Sequence, residues 1–263
     1  MKKQVVCAFV NQKGGVGKTT SAVTVAHLWA MEGRSVLLVD LDAQGNVADC
    51  IGLEKRGDLN RWLIGEVGMD AISASGRDNL AVILGDKSTA RTKQVLSGDP
   101  FGVYKVRSAL EELRNYDVVV LDVAPGADIM QLAALVACTA FVIPVSLEHL
   151  ALVGVREALE SVASLKKVNA FQGGFAGVLP TMLDRRIKGN VERLRLLAET
   201  FGRQVAPPIP TDATVVKAQE AGKTLCEFDE RCPALAGVVL GSNNKRTGGY
   251  EAAARWLAGE CGL

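Results

Sequence analysis

The chain has no run of apolar residues approaching the ~18–20 needed to span a bilayer, so no membrane span is expected in its 263 residues. It has almost no net charge: 30 Lys and Arg stand against 29 Asp and Glu, leaving +1. Whole-chain electrostatics therefore name no partner, and any nucleic-acid surface must be a local patch. There is no Cys-x-x-Cys pair. Cys7, Cys50, Cys138, Cys226, Cys232 and Cys261 are scattered, some of them in apolar stretches. That argues against a disulfide framework or metal cluster and for a reducing cytoplasm. Only two histidines occur, His27 and His149, neither in a ligand-spaced cluster, and both read as structural. No linker stands out and no internal repeat is found. The basic pair Lys2-Lys3 precedes an apolar stretch, as in a signal peptide. But the stretch is short, and Asn11-Gln12-Lys13-Gly14 follows it instead of a small-residue cleavage site. A buried first strand is the better reading.

What is present fits a soluble globular protein with a substantial core, at 48% hydrophobic and 22% charged residues. Short β-rich runs alternate with longer helical ones. Strands are expected at 5–10, 35–39, 80–84, 118–121, 141–145 and 175–179. Helices are expected at 19–31, 103–113, 129–136, 150–166, 191–201, 215–221 and 250–258. The run Val118-Val119-Val120-Leu121 shows no polar alternation, so it should be buried on both faces. The pattern predicts an α/β fold: a doubly wound, mostly parallel sheet flanked by helices, in a single domain over 1–263. Two stretches read as irregular, 85–102 and 237–249. The stretch 237–249 is expected to be an exposed loop before the last helix.

Residues 11–20 follow the first strand and open the first helix, which is the context of a phosphate loop. Gly14, Gly15 and Gly17 permit positive φ and close approach of backbone to phosphate. Their N–H groups and the helix N-terminus supply partial positive charge. Lys18 reaches terminal phosphates and the Thr19 hydroxyl ligates Mg²⁺. The ordinary G-x-x-x-x-G-K-[ST] pattern is not met, because position 12 is Gln; an extra lysine, Lys13, opens the loop instead. The plain alternative is a glycine-rich turn with solvated lysines. Asp40, Asp42 and Asp122 stand at strand ends, where ligands bind in a parallel sheet. Carboxylates there bind Mg²⁺ or its waters, or orient an attacking water; as simple helix caps they would do neither.

These residues carry a resemblance. Asn11-Gln12-Lys13-Gly14-Gly15-Val16-Gly17-Lys18-Thr19-Thr20 resembles the deviant Walker A box of the ParA/MinD family. Asp40-Leu41-Asp42-Ala43-Gln44-Gly45-Asn46 resembles its second box, with Ala43 in place of a proline. Leu121-Asp122-Val123-Ala124-Pro125-Gly126 resembles the third. Thr181-Met182-Leu183-Asp184 and Ile209-Pro210-Thr211-Asp212 resemble later motifs, where the family places adenine. The likeness runs from residue 4 to about residue 232. It implies ATP and Mg²⁺ as cofactors, bound by residues 13–20. Lys13 reaches the partner subunit's phosphates in an ATP sandwich homodimer, and Asp42 positions the attacking water. Thr19, Asp40 and Asp122 act around Mg²⁺, and Pro210 and Asp212 touch the base.

Within the family the motif order is closest to the ParA-type, Soj-like partition ATPases. These bind DNA without sequence preference and are stimulated by a ParB-like or other adaptor protein. A cytoplasmic protein, nucleoid-associated when ATP-bound, is implied. Between Arg185 and Lys223 stand eight basic residues and four acids, a local +4. Arg185, Arg186, Lys188 and Lys217 are the candidate DNA contacts. The alternatives are an ordinary solvated helix face and a MinD-like positioning ATPase that works through protein partners or a membrane without DNA. The last 14 residues hold one basic and two acidic side chains, a poor match to an anionic membrane. A metabolic P-loop ligase is disfavoured by Lys13 and by the lack of an obvious substrate-binding domain. Thr214 stands where many partition ATPases carry Arg, which weakens the DNA reading.

Overall fold

The computed structural model describes residues 4–147, 151–239 and 246–263. His149, the expected helix start at Leu150 and the centre of the 237–249 stretch lie outside the described residues. In chain order the elements are β1 (Val5–Phe9), α1 (Lys18–Met31), β2 (Val36–Asp40), α2 (Asn46–Ile51), α3 (Asp58–Leu63), β3 (Ser73–Arg77), β4 (Leu80–Ile83), α4 (Thr89–Gly98), α5 (Lys105–Glu111), β5 (Val118–Asp122) and α6 (Ile129–Ala137). They continue as β6 (Ala140–Ser146), α7 (Ala151–Lys167), β7 (Gly174–Thr181), α8 (Lys188–Phe201), α9 (Thr214–Glu220), α10 (Leu225–Phe228), α11 (Pro233–Ala236), β8 (Val238–Val239), β9 (Arg246–Thr247) and α12 (Tyr250–Cys261).

One seven-stranded sheet runs in the order β3-β4-β2-β5-β1-β6-β7. Every neighbouring pair is parallel except the edge hairpin β3-β4. The period-2 alternation of strand side chains feeds two cores. Val6, Ala8, Leu37, Val39, Val119 and Leu121 face one layer, with residues of α3 to α8. Val5, Cys7, Phe9, Val36, Leu38, Val118 and Val120 face the other, with residues of α1, α2 and α9 to α12. The strands of the centre are therefore apolar on both faces, as the Val118 run predicts. Trp29 of α1 is fully buried, and its indole N–H donates to the Ala254 carbonyl of α12 at 3.1 Å. That bond satisfies the polar edge of a large buried ring and fixes the last helix against the first.

The expected elements appear within a few residues, and five features differ. The stretch 85–102 holds the helix α4. Its turn-forming residues sit at the ends, Ser88 before it and Asp99-Pro100 after it, while Thr89, Thr92 and Leu96 make a buried face. A face built partly from threonine has little apolar signal. The edge strand β3 was not expected, nor were the short helices α2, α3, α10 and α11. The expected helix 103–113 begins instead as a single turn of 3-10 helix over Gly102–Tyr104 before α5. The 237–249 stretch is framed by a short antiparallel ribbon, Val238 opposite Thr247 and Val239 opposite Arg246. No described helix is long and apolar enough to cross a membrane.

Candidate functional site

The loop from Val10 to Gly17 leaves the carboxyl end of the central strand β1 and runs straight into α1. Gly15 (φ +71°) and Gly17 (φ +81°) take the left-handed conformation, which an L side chain rarely adopts. Gly14 does not, so positive φ is required at two of the three glycines, not all three. Gly17 is the helix cap, and with no side chain to offer it leaves the first N–H groups of α1 without a capping bond. Those donors, at the positive end of the helix, form an anion cradle. The neighbouring strands hold the loop in shape. Thr181 at the end of β7 donates to the Val16 carbonyl at 2.9 Å, and the Gly126 N–H donates to the Gln12 carbonyl at 3.0 Å. The third motif is thereby latched onto the first.

The two loop lysines are placed in opposite ways. Lys13 is exposed, whereas Lys18 is only 6% exposed. The Lys18 ammonium donates to the Lys13 carbonyl at 2.8 Å, bridging the mouth of the loop. Burial pushes its pKa down, against the pull of Asp122 and Asp42. Thr19 and Thr20 follow at the start of the helix, both half-buried. The Thr20 hydroxyl accepts from Gln219 of α9 at 3.0 Å, which ties its side chain to that helix.

Asp40 and Asp122 end the adjacent strands β2 and β5 and are paired in register. Both are fully buried. Asp40 accepts from the N–H groups of Asp42 at 3.0 Å and Val47 at 3.2 Å. Burial and the neighbouring Asp122 carboxylate still hold its pKa well above the usual range. Among the described residues Asp122 finds no well-formed hydrogen bond at either carboxylate oxygen. Burial pushes it up to about 7, with the Thr19 hydroxyl and Lys18 pulling the other way. Asp42 sits just beyond β2, 8% exposed, and accepts from the Gln44 N–H at 2.9 Å.

Unsatisfied buried carboxylate oxygens are costly, and a hard dication with oxygen ligands is the group that satisfies them. The residues therefore fit Mg²⁺, which Asp122, Thr19 and Asp40 would hold. Among the described residues no cluster of three or more His, Cys, Asp or Glu forms a closed metal cage. Mg²⁺ takes one or two carboxylates and completes its shell with water and phosphate.

Two glycines, Gly85 and Gly154, carry little sequence signal. Gly85, at the end of β4, passes so close to the carboxylate turn that a Cβ there would lie 2.6 Å from the Asp42 carbonyl and 2.7 Å from that of Asp40. Asn11 and Gly154 brace the loop from behind. A glycine in irregular sequence reads as a turn, and only the fold shows what it must avoid.

The other expected site residues lie apart from this centre. Pro210 is buried and bridges to Leu183. The Asp212 carboxylate accepts from the N–H groups of Thr214 at 2.9 Å and Ala234 at 3.0 Å; it holds the turn into α9 and the start of α11. Arg185, Arg186, Lys188 and Lys217 are all exposed. Arg186 is bonded to both carboxylate oxygens of Asp184, and Lys188 lies 3.7 Å from Glu192. Arg193 turns inward onto the Leu147 carbonyl at 2.9 Å. His27 is buried and hydrogen-bonds Thr224 at 2.8 Å, as a structural histidine should.

Residues 4–172 match the family model described as an AAA domain. The sporulation initiation inhibitor protein Soj of Bacillus subtilis is 33% identical over 233 residues, spanning 86% of this chain and 92% of that protein. The chromosome partitioning protein ParA of Caulobacter vibrioides is 31% identical over 235 residues, spanning 86% and 88%. Among solved structures, an ATP complex of McdA from Cyanothece superposes with a TM-score of 0.83 over 100% of this chain and 98% of that one, at 20% identity. That last likeness speaks to the fold.

Proposed function

Because this chain belongs to the ParA/MinD family of deviant Walker A P-loop ATPases, alongside the Soj and ParA proteins, we propose that it is an ATP-driven partition or positioning switch. On this reading ATP binds in the loop 13–20 with Mg²⁺ at Thr19, Asp122 and Asp40, and two subunits close around two nucleotides. Asp42 orients the attacking water, Pro210 and Asp212 border the base, and hydrolysis is slow until a ParB-like or other adaptor protein stimulates it. The observation that carries the reading is the division between the two lysines. Lys18 is buried beside the carboxylates of its own subunit, and Lys13 is exposed at the rim of the same loop, where a second subunit's phosphates can meet it.

The ATP-bound dimer is proposed to hold DNA without sequence preference, and so to reside on the nucleoid in a cytoplasm, moving plasmid, chromosome or protein cargo. Support comes from the exposed basic residues Arg185, Arg186, Lys188 and Lys217. Two such patches joined in a dimer make the second contact intramolecular, so binding follows ATP. The pairing of Arg186 with Asp184 and Lys188 with Glu192 favours the second reading, a positioning ATPase acting through protein partners. A membrane version is less well supported: Tyr250, Ala253, Ala254, Leu257 and Ala258 of α12 are buried against the body of the fold, so that helix has no free apolar face to insert.

The test is size-exclusion chromatography with light scattering. The wild type with Mg²⁺-ATP is expected to shift toward dimer. Asp42→Ala, which loses water positioning and keeps the phosphate contacts, is expected to stay dimeric for far longer. Monomer only, in both, refutes the sandwich. Retention of duplex DNA at low salt with ATP but not ADP then decides between the two readings.

A further inference from the structure

We propose that Asn11 is a positioning residue for Lys13, and that helix α7 sets it in place through Gly154. The inference rests on the sandwich-dimer reading of Lys13.

Asn11 is 1% exposed, and both ends of its amide are engaged. Its Oδ1 accepts from the Lys13 N–H at 2.9 Å, and its Nδ2 donates to the Pro144 carbonyl of β6 at 2.8 Å. The side chain therefore ties the backbone of Lys13 to the sheet. Gly154, in the first turns of α7, lies flat against that amide. A Cβ there would sit 2.7 Å from Oδ1, closer than real Cβ contacts come, and 3.1 Å from Nδ2, a tight contact. Neither atom is the free end of a flexible chain, because both are fixed by their hydrogen bonds. Gln12 reaches the same helix, its Nε2 lying 3.3 Å from both the Glu157 carbonyl and the Ser161 hydroxyl.

The two residues before Lys13 thus lean on α7 and β6. Lys18, by contrast, is part of α1 and points into the carboxylate pocket. The loop's two lysines have separate supports, so a shift of α7 moves Lys13 while leaving the pocket of Lys18 in place. The Lys18 ammonium does touch the Lys13 carbonyl, which is why nucleotide affinity and dimerisation have to be measured separately.

Gly154→Ala is the probe. Alanine is the better helix former, so a defect without a fall in melting temperature is not a folding defect. A fluorescent ATP analogue reads nucleotide affinity, and light scattering with ATP reads dimerisation, for the wild type, Gly154→Ala, Lys13→Ala and the double variant. The expected result is affinity within about threefold of wild type in Gly154→Ala and dimerisation weakened roughly tenfold, with the double variant no worse than Lys13→Ala alone. Non-additivity marks an effect that travels through Lys13, which a general loosening of α7 would not produce. If Gly154→Ala folds poorly, Asn11→Ala takes its place, removing the two hydrogen bonds without adding volume, and the same non-additivity is expected. Normal dimerisation in the probe variant, or losses that add, overturns the inference. Normal dimerisation in Lys13→Ala itself overturns the sandwich reading, and this inference with it.

Discussion

At the carboxyl ends of β2 and β5 and the start of α1 the charges are buried; just before α8 and at its first residue they stand in water. Asp40 and Asp122 are fully buried and Lys18 nearly so, whereas the side chains of Arg186 and Lys188 are 89% and 91% exposed. Burying an ion costs several kcal/mol unless a partner compensates it. A cluster of this kind needs something the protein chain does not itself supply, and Mg²⁺ with a triphosphate has the right charges. An exposed ion pair costs little and is worth about 0–1 kcal/mol, so its presence alone says little about function. Interference should be expensive at the first region and cheap at the second.

The largest effect is expected from Lys18→Ala. The variant removes the cation beside the buried carboxylates, which on the proposed reading also meets the phosphates. Loss of one partner from a buried charged arrangement costs about 3–5 kcal/mol, so ATP affinity should fall by roughly a hundredfold or more. Titration with a fluorescent ATP analogue and Mg²⁺ measures it, and an unchanged Kd would erase the contrast between the two regions.

Asp122→Asn should cut the other way. It keeps the shape and removes a buried charge that has no well-formed hydrogen bond among the described residues and that lies next to Asp40 in the sheet register. The nucleotide-free protein is expected to gain about 1–2 kcal/mol and melt a few degrees higher, while the extra stabilisation by ATP with Mg²⁺ shrinks. Differential scanning fluorimetry with and without Mg²⁺-ATP reads both. A lower melting temperature with an intact Mg²⁺ response would make Asp122 a structural group.

The buried region was also the legible one. Gly15, Gly17, Lys18, Asp40 and Asp122 are residue types whose chemistry is tied to fixed spacing and to strand ends, so a linear reading reaches them. The central strands were legible for the same reason, since Val118 to Leu121 can only be buried. What escaped was set by contacts distant in sequence. Gly85 and Gly154 matter for what a Cβ would strike. Helix α4 hid behind Thr89 and Thr92, whose burial is made possible by partners such as Asn60, which accepts from the Thr92 hydroxyl at 2.5 Å. Strand β3, Ser-Ala-Ser-Gly-Arg, has no apolar alternation and is held at the edge by its pairing with β4 and by the Ser75 hydroxyl on the Leu80 carbonyl at 2.6 Å. The basic segment lies between these cases: its charges can be counted, but which of them are already paired cannot.

That pairing gives the smallest and most discriminating prediction. Arg185 and Arg186 are adjacent and both exposed, and a count of charge treats them alike. The Arg186 guanidinium, however, is bonded to Asp184 through Nε at 2.9 Å and through Nη2 at 2.7 Å, a two-point grip that holds the Asp184 carboxyl down at about 2. To touch a DNA phosphate Arg186 must leave that grip or share it, and Arg185 need not leave any bond to this carboxylate. Each direct phosphate contact contributes about one to the slope of log K against log salt. Arg185→Ala should therefore lower the slope by about one, with a few-fold loss of affinity, when the ATP-bound protein is titrated with duplex DNA across a salt series. Arg186→Ala should lose affinity through the general field but change the slope by less. Asp184→Asn, which removes an acid and releases the guanidinium, should tighten binding. If all three variants keep the wild-type affinity and slope, the segment is a solvated helix face and any DNA contact lies elsewhere on the protein.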